Sequence, residues 1–411
     1  MKWNYNFGGG CEKNLPLAER KSVSLLLGAG FSVPKGYPTG KKVNESLLNF
    51  DDFPISFTPS GEMVISNERE SIQTDWPEND YQKLFRFCKR LILLYAEKNN
   101  GFDYEVFYDF IKSKEIYGPI YKELANDFIS SDSDYNRFVS GIDTIYNQMV
   151  SYIICDAEGK TWYDEEPSQI GYVEGYDSFL NLLKNWCNDN IINVHTLNHD
   201  LLFESFRKTE YLSGLVSDGF DEYGSCYYGI VRKGNASYHV RLERYKGRYP
   251  KPIRLYKLHG SLDYVLYKRT VDNCVLIPDN YVKTRKFVSP GNLLRSRGSK
   301  MGYELYPFAV HADFLTGTTS KISRYGEPTL YKKLFKKFKS NLRNADKLII
   351  IGYGGKDLKI NKIILENFNF SEKKSYVFDP FPSDELKEFA KMIHSTLITK
   401  SVSDMSINDI K

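Results

Sequence analysis

Short apolar runs that stop abruptly at glycine or polar turns recur along this chain, and most are followed by a stretch of helical spacing. Residues 22–27 run into Gly28-Ala29-Gly30-Phe31-Ser32, the pattern of a buried parallel strand entering a tight turn. Pro34, Gly36, Pro38 and Gly40 then delay the next helix to about Thr39, with 41–48 following. From about 53 to 80 the chain is polar and turn-rich without a sustained period, which reads as a loop. Beyond it Tyr81, Leu84, Phe85, Cys88, Leu91, Leu94 and Tyr95 recur at helical spacing. Similar patterns at 103–114, 119–129 and 135–155 predict an all-helical insertion.

The strand–turn–helix rhythm then resumes. A helix over 175–187 leads to a strand over 191–196 and to Leu197-Asn198-His199-Asp200. Residues 218–252, rich in Gly, Tyr and Arg, alternate around 227–231 and 238–242 and predict a β-hairpin excursion. A strand over 254–258 ends in His259-Gly260-Ser261. Tyr331, Leu334, Phe335, Phe338 and Leu342 make one apolar helix face among lysines, and a strand over 347–351 closes with Gly352-Tyr353-Gly354-Gly355. A helix over 357–366, a strand over 376–379 and a helix over 385–394 follow. Strands alternating with helices predict an α/β fold on a parallel sheet. No repeat of 20–50 residues argues for a solenoid.

Composition narrows the classes. The 411 residues suit one large α/β domain plus a second module. With 41% apolar and 26% charged residues, neither disorder nor a fibrous repeat fits. The net charge of +4 is too small to argue for nucleic acid by itself. Lys283, Arg285, Lys286, Arg295, Arg297 and Lys300 do form a run without acids, which reads as a solvated face or subunit contact before a nucleic-acid surface. The six cysteines, at 11, 88, 155, 187, 226 and 274, form no CxxC pair and read as buried, reduced thiols. The first ten residues lack the apolar core of a signal peptide, and no run approaches about 18 apolar residues. A cytoplasmic protein without membrane attachment is expected.

Four turns at strand ends could carry chemistry. The glycines and Ser32 of the first can cradle a diphosphate, though a tight strand-to-helix turn explains them equally. Asn198-His199-Asp200 stands where open parallel sheets expose ligand-binding groups, yet Asn and Asp are also preferred helix caps. Isolated histidines are more often structural, but His259 occupies a third strand end. The fourth is Gly352-Tyr353-Gly354-Gly355 with Asp357. All four face one rim.

Gly-Ala-Gly-Phe-Ser at 28–32, Thr196-Leu197-Asn198-His199-Asp200, Leu258-His259-Gly260 and Gly352-Tyr353, in that order, resemble the sirtuin-like NAD-binding domain. The likeness covers about half the chain, chiefly 22–40, 174–206, 254–264 and 345–380. It implies a Rossmann-like sheet formed by 1–52 and 174–411, with a helical insertion at 53–173 and a hairpin insertion at 218–252. By the same resemblance NAD+ is the substrate: Gly28, Ala29, Gly30, Phe31 and Ser32 meet the pyrophosphate, with Thr39 and Thr196 nearby. Asn198 stands beside the nicotinamide ribose, His259 is the catalytic histidine, and Asp200 orients a neighbour or the ribose. Gly352 and Tyr353 close the far side, and Asp379 faces the adenosine end unless it only caps the turn at Pro380.

Deacylating sirtuins carry a four-cysteine zinc module, which this chain lacks, so no zinc is expected. The Gly36-Tyr37-Pro38-Thr39 segment, the His-Asp pair after Asn198 and the helical insertion look like zinc-less bacterial antiphage proteins that hydrolyse NAD+. Within that group the chain resembles the subunit encoded beside a HerA-type ATPase. The resemblance therefore implies an NAD+ hydrolase that is a homo-oligomer with a HerA-like partner, through which any nucleic-acid contact would run. A protein deacylase and a non-catalytic NAD or ADP-ribose sensor are the alternatives.

Overall fold

The computed structural model describes residues 16–50, 55–58, 61, 63–65, 79–129, 132–155, 174–233, 236–271, 275–285, 288, 293–298, 302–305 and 311–410. After β1 (Lys21–Leu27) and α1 (Gly40–Leu48) the chain makes a hairpin, β2 (Ile55–Phe57) and β3 (Met63–Ile65). Five helices follow: α2 (Asp80–Lys98), α3 (Tyr104–Lys112), α4 (Pro119–Ala125), α5 (Asp132–Val139) and α6 (Ile142–Cys155). α7 (Asp177–Trp186), β4 (Asn190–Thr196), the short α8 (Leu202–Ser205) and β5 (Val216–Ser217) return it to the main sheet. Next come β6 (Gly219–Asp221), β7 (Tyr227–Lys233), β8 (Ala236–Arg241), β9 (Arg244–Arg248) and β10 (Ile253–Lys257). β11 (Tyr264–Val271), β12 (Val275–Lys283), β13 (Leu293–Ser296) and β14 (Tyr303–Leu305) precede α9 (Ser320–Arg324) and α10 (Tyr331–Asn344). The chain closes with β15 (Lys347–Ile351), α11 (Leu358–Asn367), β16 (Lys374–Phe378), α12 (Asp384–Met392) and β17 (Thr396–Ile398).

The parallel sheet has the order β17-β16-β15-β1-β4-β10-β5. Starting at β1 the chain builds to one side through β4 and β10, then crosses to β15 on the other side, so β1 and β15 flank the switch point where such sheets open a crevice. The register brings the exits level. Leu27 pairs with Ile351 and with Thr196, and Thr196 pairs with Lys257, so the four strands that carry the turns end side by side. The expected α/β, Rossmann-like sheet is therefore present.

Its strands are apolar on both faces because helices cover both. Leu26, Tyr256, Ile350 and Val377 pack on one side with α10 and α11, while Leu25, Leu27, Val194 and Ile349 pack on the other with α7. α10 shows why its lysine-rich sequence still folds: Tyr331, Leu334, Phe335, Phe338 and Leu342 are all buried on one stripe, and the lysines occupy the remainder.

Three expectations need correction. The stretch from about 53 to 80, expected as a loop, holds a hairpin in which β2 and β3 pair, with Ile55 and Phe57 buried and Phe57 against Tyr81 and Phe85. Strands of three residues are too short to show a period. The side chain of Gln148 fastens this hairpin, donating to Gly61 O at 2.9 Å and accepting from the Met63 amide at 2.6 Å. The hairpin at 218–252 also proves to be half of a larger unit: β7 and β8 join β13 and β14 in one four-stranded sheet, and β6 and β9 join β11 and β12 in another. Pairing partners that lie tens of residues downstream leave no local signal.

The third concerns Lys283 of the basic run, since Arg285 and Arg297 are exposed as expected. Lys283 is buried between Asp218 at 2.6 Å and Asp263 at 3.3 Å, while Arg285, Arg295 and Arg297 pair with Glu222, Asp279 and Glu304. The charge of the described residues is answered by acids from elsewhere in the chain; Lys286 and Lys300 lie outside the described residues. Of the cysteines, Cys88 and Cys187 are buried, Cys155 and Cys226 only partly so, and all four are free thiols. Cys11 and Cys274 lie outside the described residues, as do parts of 53–80 and all of 156–173. Among the described residues no cluster of three or more His, Cys, Asp or Glu side chains could hold a metal ion, and no helix is long and apolar enough to cross a membrane.

Candidate active site

At the switch point two glycine turns close on each other. Gly352 has φ +61°, and a Cβ there would stand 2.3 Å from the Phe31 nitrogen; one on Gly28 would stand 2.6 Å from Gly352 O. The first turn folds its amides inward: Gly28 N–H donates to Ile351 O, Gly30 N–H to Gly352 O, Phe31 N–H to Gly28 O and Ser32 N–H to Ala29 O. Ala29 and Gly30 are left at the surface, whereas the Phe31 ring is buried against Tyr176, Phe179 and Phe203. The glycines are thus needed for backbone-to-backbone contact between β1 and β15 exits.

Asn198 bridges the next gap. Its Nδ2 donates to Gly28 O at 2.9 Å and to Ser32 Oγ at 3.0 Å, and its own N–H donates to Thr196 Oγ1 at 3.0 Å. Gly28 O can only accept, so the amide orientation is fixed. Both Nδ2 protons are used, and Oδ1 is the atom left to accept from a ligand. Ser32, 1% exposed, in turn hydrogen-bonds the Asp200 carboxylate.

Asp200 itself lies behind the rim. Burial pushes its carboxyl up, opposed by nearby Lys257, the Leu202 amide and Ser32. Its Oδ1 accepts from Leu202 N–H at 3.0 Å, an Asx turn that leads into α8. Lys257, fully within β10, donates to the carbonyls of His199 and Asp200 and pairs with Glu204 at 3.1 Å.

His259 leaves β10 two residues past the Lys257–Thr196 pair, as Asn198 leaves β4. Its ring centroid lies 6.4 Å from that of His199, the residue after Asn198. Its Nε2 meets the Tyr325 hydroxyl at 3.1 Å and Asp357 Oδ2 at 3.6 Å. Burial, then the charge of Lys321, hold the imidazole well below the ordinary histidine range, so the ring is in its neutral form at pH 7. Gly260, φ +84°, lets residues 313–314 cross directly over it, where a Cβ would come within 2.5 Å of Asp313 O.

The remaining sequence candidates are spread along the same edge. Thr196 is buried beneath Asn198, and Thr39 caps α1, accepting from Lys42 N–H at 3.4 Å. Tyr353 is buried and donates to Asn361 Oδ1 at 2.7 Å and to Asp357 O at 3.1 Å, which ties the fourth turn to α11. Asp379 follows β16 and accepts from Phe381 N–H at 2.8 Å, the turn-capping arrangement at Pro380. Sequence reasoning missed Tyr325, Lys321 and Glu105. The first two lie on or just after a five-residue helix and the last inside the insertion, and no pattern links them to His259. Lys257 left no clear signal either, since it closes a strand that also contains Arg254.

Three histidines are buried neutral, which has a pH consequence. Burial pushes His195 down to about 3 and holds His199 and His259 well below the usual range. Each folded pKa is depressed, so the unfolded chain binds the extra proton; the stability is fully present above about pH 6.5 and is lost as pH falls below it, by up to about 1.4 kcal/mol per pH unit for each histidine. The carboxyls of Asp200 and Glu204, raised by burial, act in the opposite direction. His195 is shifted by burial alone and isolates the effect. Urea midpoints should therefore fall more steeply from pH 7 to pH 5 in the wild type than in His195→Gln, and parallel profiles would contradict this account.

Comparison with solved structures finds distant Sir2 proteins. A Sir2 enzyme studied for its mechanism and regulation is 13% identical with a TM-score of 0.35, covering 94% of this chain and 90% of the other. A Sir2 homologue in complex with NAD is 12% identical with a TM-score of 0.36, covering 94% and 87%. A Sir2 protein bound to the inhibitor EX-527, 2′-O-acetyl-ADP-ribose and a deacetylated p53 peptide is 11% identical with a TM-score of 0.32, covering 94% and 92%. No curated protein matches the chain. Residues 193–398, which begin in β4 and take in Asn198, His259 and the Gly352 turn, match the SIR2-like domain over half of the 411 residues, and the chain belongs to that family.

Proposed function

We propose that this protein is an NAD+ glycohydrolase. Water adds at ribose C1′, the bond to nicotinamide breaks, and ADP-ribose, neutral nicotinamide and a proton leave. The observation that carries this reading is the pinned Asn198 amide, whose Oδ1 remains free to accept, on the same rim as a neutral His259. Such a pair suits a reaction in which positive charge develops on the sugar and a placed water is deprotonated. Asn198 holds the water or a ribose hydroxyl, and His259 takes the proton. The exposed Ala29–Gly30 backbone offers close approach to the pyrophosphate, and Asp379 stands toward the adenosine end.

The motif resemblance to zinc-less bacterial antiphage NADases supports a role in defence by NAD+ depletion, in a homo-oligomer with a HerA-like ATPase. A second reading has one observation in its favour: His259 is 5% exposed and its Nε2 is already engaged by Tyr325. That restraint suits a sensor of NAD or ADP-ribose as well as an enzyme awaiting activation. Incubating the protein with NAD+, alone and with a HerA-like ATPase, separates these readings. Nicotinamide and ADP-ribose accumulating over many turnovers support hydrolysis. Stoichiometric binding without turnover would favour the sensor, and turnover that needs an acylated peptide would favour a deacylase.

A further inference from the structure

Behind His259 lies a chain of buried charges that begins in the insertion. Lys321, on α9, places its Nζ 3.1 Å from both carboxylate oxygens of Glu105 and 3.2 Å from Asp357 Oδ2. The same Asp357 oxygen is 3.6 Å from His259 Nε2. The other oxygen accepts from the Lys359 and Ile360 amides at the start of α11, so the carboxylate is anchored and cannot swing away. α9 is itself held from α3: Asp109, one turn after Glu105, accepts from the Thr318, Thr319 and Ser320 amides and from Thr318 Oγ1. Gly317, φ +91°, is required for that grip, because a Cβ would stand 2.4 Å from Asp109 Oδ1.

We propose that Lys321 is a positioning residue for His259, holding the Asp357 carboxylate off the imidazole while Glu105 balances the lysine from the insertion. A carboxylate with no cation beside it would favour the protonated imidazole, and a protonated imidazole cannot accept a proton from water. With Lys321 in place the carboxylate is already neutralised, and the lysine's own charge opposes protonation of the ring. The groups facing His259 are accounted for: Asp357 from α11, Tyr325 and Lys321 from α9 and its exit, and His199 from the β4 exit. Burial lowers the Lys321 pKa and the two carboxylates more than restore it, so the lysine is charged at neutral pH.

The inference rests on the hydrolase reading for its kinetic arm only, and the experiment keeps the two apart. His259 is titrated without nucleotide by NMR of the histidine-labelled full-length protein, with His259→Asn to assign the signal. Lys321→Met is expected to raise the His259 midpoint by about one pH unit or more, and Lys321→Arg to leave it within a few tenths. Lys321→Gln, neutral but polar, should behave as Lys321→Met and serves if the methionine variant does not fold. Glu105→Gln removes a negative charge on the far side and should leave the midpoint unchanged or lower. An unchanged midpoint in the neutral Lys321 variants, or a rise in Glu105→Gln, overturns the inference. In the kinetic arm the acid limb of kcat/KM should move with the midpoint and return in Lys321→Arg. Absence of turnover in the wild type would count against the hydrolase reading and leave the titration to decide the role of Lys321.

Discussion

Replacing Asn198 or His259 with alanine is expected to cut nicotinamide release by about 10²- to 10⁴-fold, the usual loss when a positioned acid–base or orienting group is removed. The two variants should fail for different reasons. Without the Asn198 side chain, Gly28 O and Ser32 Oγ lose a shared donor and the acceptor facing the ligand disappears. Asn198→Asp should be no better, because a carboxylate cannot donate to Gly28 O and would be repelled by it. Without His259 no group takes the proton, although Tyr325 and Asp357 remain. Folding should survive, since Asn198 is only partly buried and His259 lies under a segment tied to the sheet by other bonds, Leu315 N–H to His259 O among them. Asp200→Ala should behave in reverse, with thermal stability falling more than rate, because its buried carboxylate holds the Leu202 amide at the turn into α8 and the Ser32 hydroxyl. Turnover near wild type in both Asn198→Ala and His259→Ala would end the assignment.

The second large effect is on stability, and two glycines in one turn provide it with its own control. Gly352→Ala should destabilise the protein by about 2–5 kcal/mol: the left-handed backbone costs about 1–2 kcal/mol for any other residue, and forced overlap adds about 1–3. The overlap is with main chain, Phe31 N at 2.3 Å and Gly30 C at 2.4 Å, which has no rotamer to escape into. Gly354, two residues on, has nothing within 4 Å of an added Cβ. Gly354→Ala should change stability by no more than about 0.5 kcal/mol. Thermal melts should separate the pair by about 2–6 °C for a chain of this length. Equal melting temperatures would mean that the β1 and β15 exits do not close as described.

The parallel sheet was legible in the sequence because its strands announce themselves twice, by an apolar run and by the glycine or polar turn that ends it. Residues 347–351 were expected as a strand and form β15 with those bounds, and Thr39 was placed at the start of α1, where it caps the helix. The edge strands β5 and β17, two and three residues long, were not, since so short a run has no period to read. The site divides along the same line. Asn198 and His259 stand immediately after strands, so topology alone brings them to one edge. Lys321, Tyr325 and Glu105 reach His259 through α9 and through a helix about 150 positions upstream of it, and contacts of that range are written in packing rather than in local pattern. The basic run at 283–300 shows the converse: the acids that answer it, Asp218 and Glu222, are some sixty residues upstream.

The grip of α3 on α9 also bears on how the protein can be cut down for study. The apolar core of the insertion takes in Leu262, just after the histidine, and Ala312 and Phe314 of the segment that crosses Gly260. Deleting 53–173 to obtain a minimal catalytic fragment would strip that segment of its cover, unseat α9 and leave a bare lysine next to Asp357. Excision at this point removes a wall of the reaction chamber along with an appendage, and inactivity of the trimmed fragment would say nothing about whether the intact enzyme works.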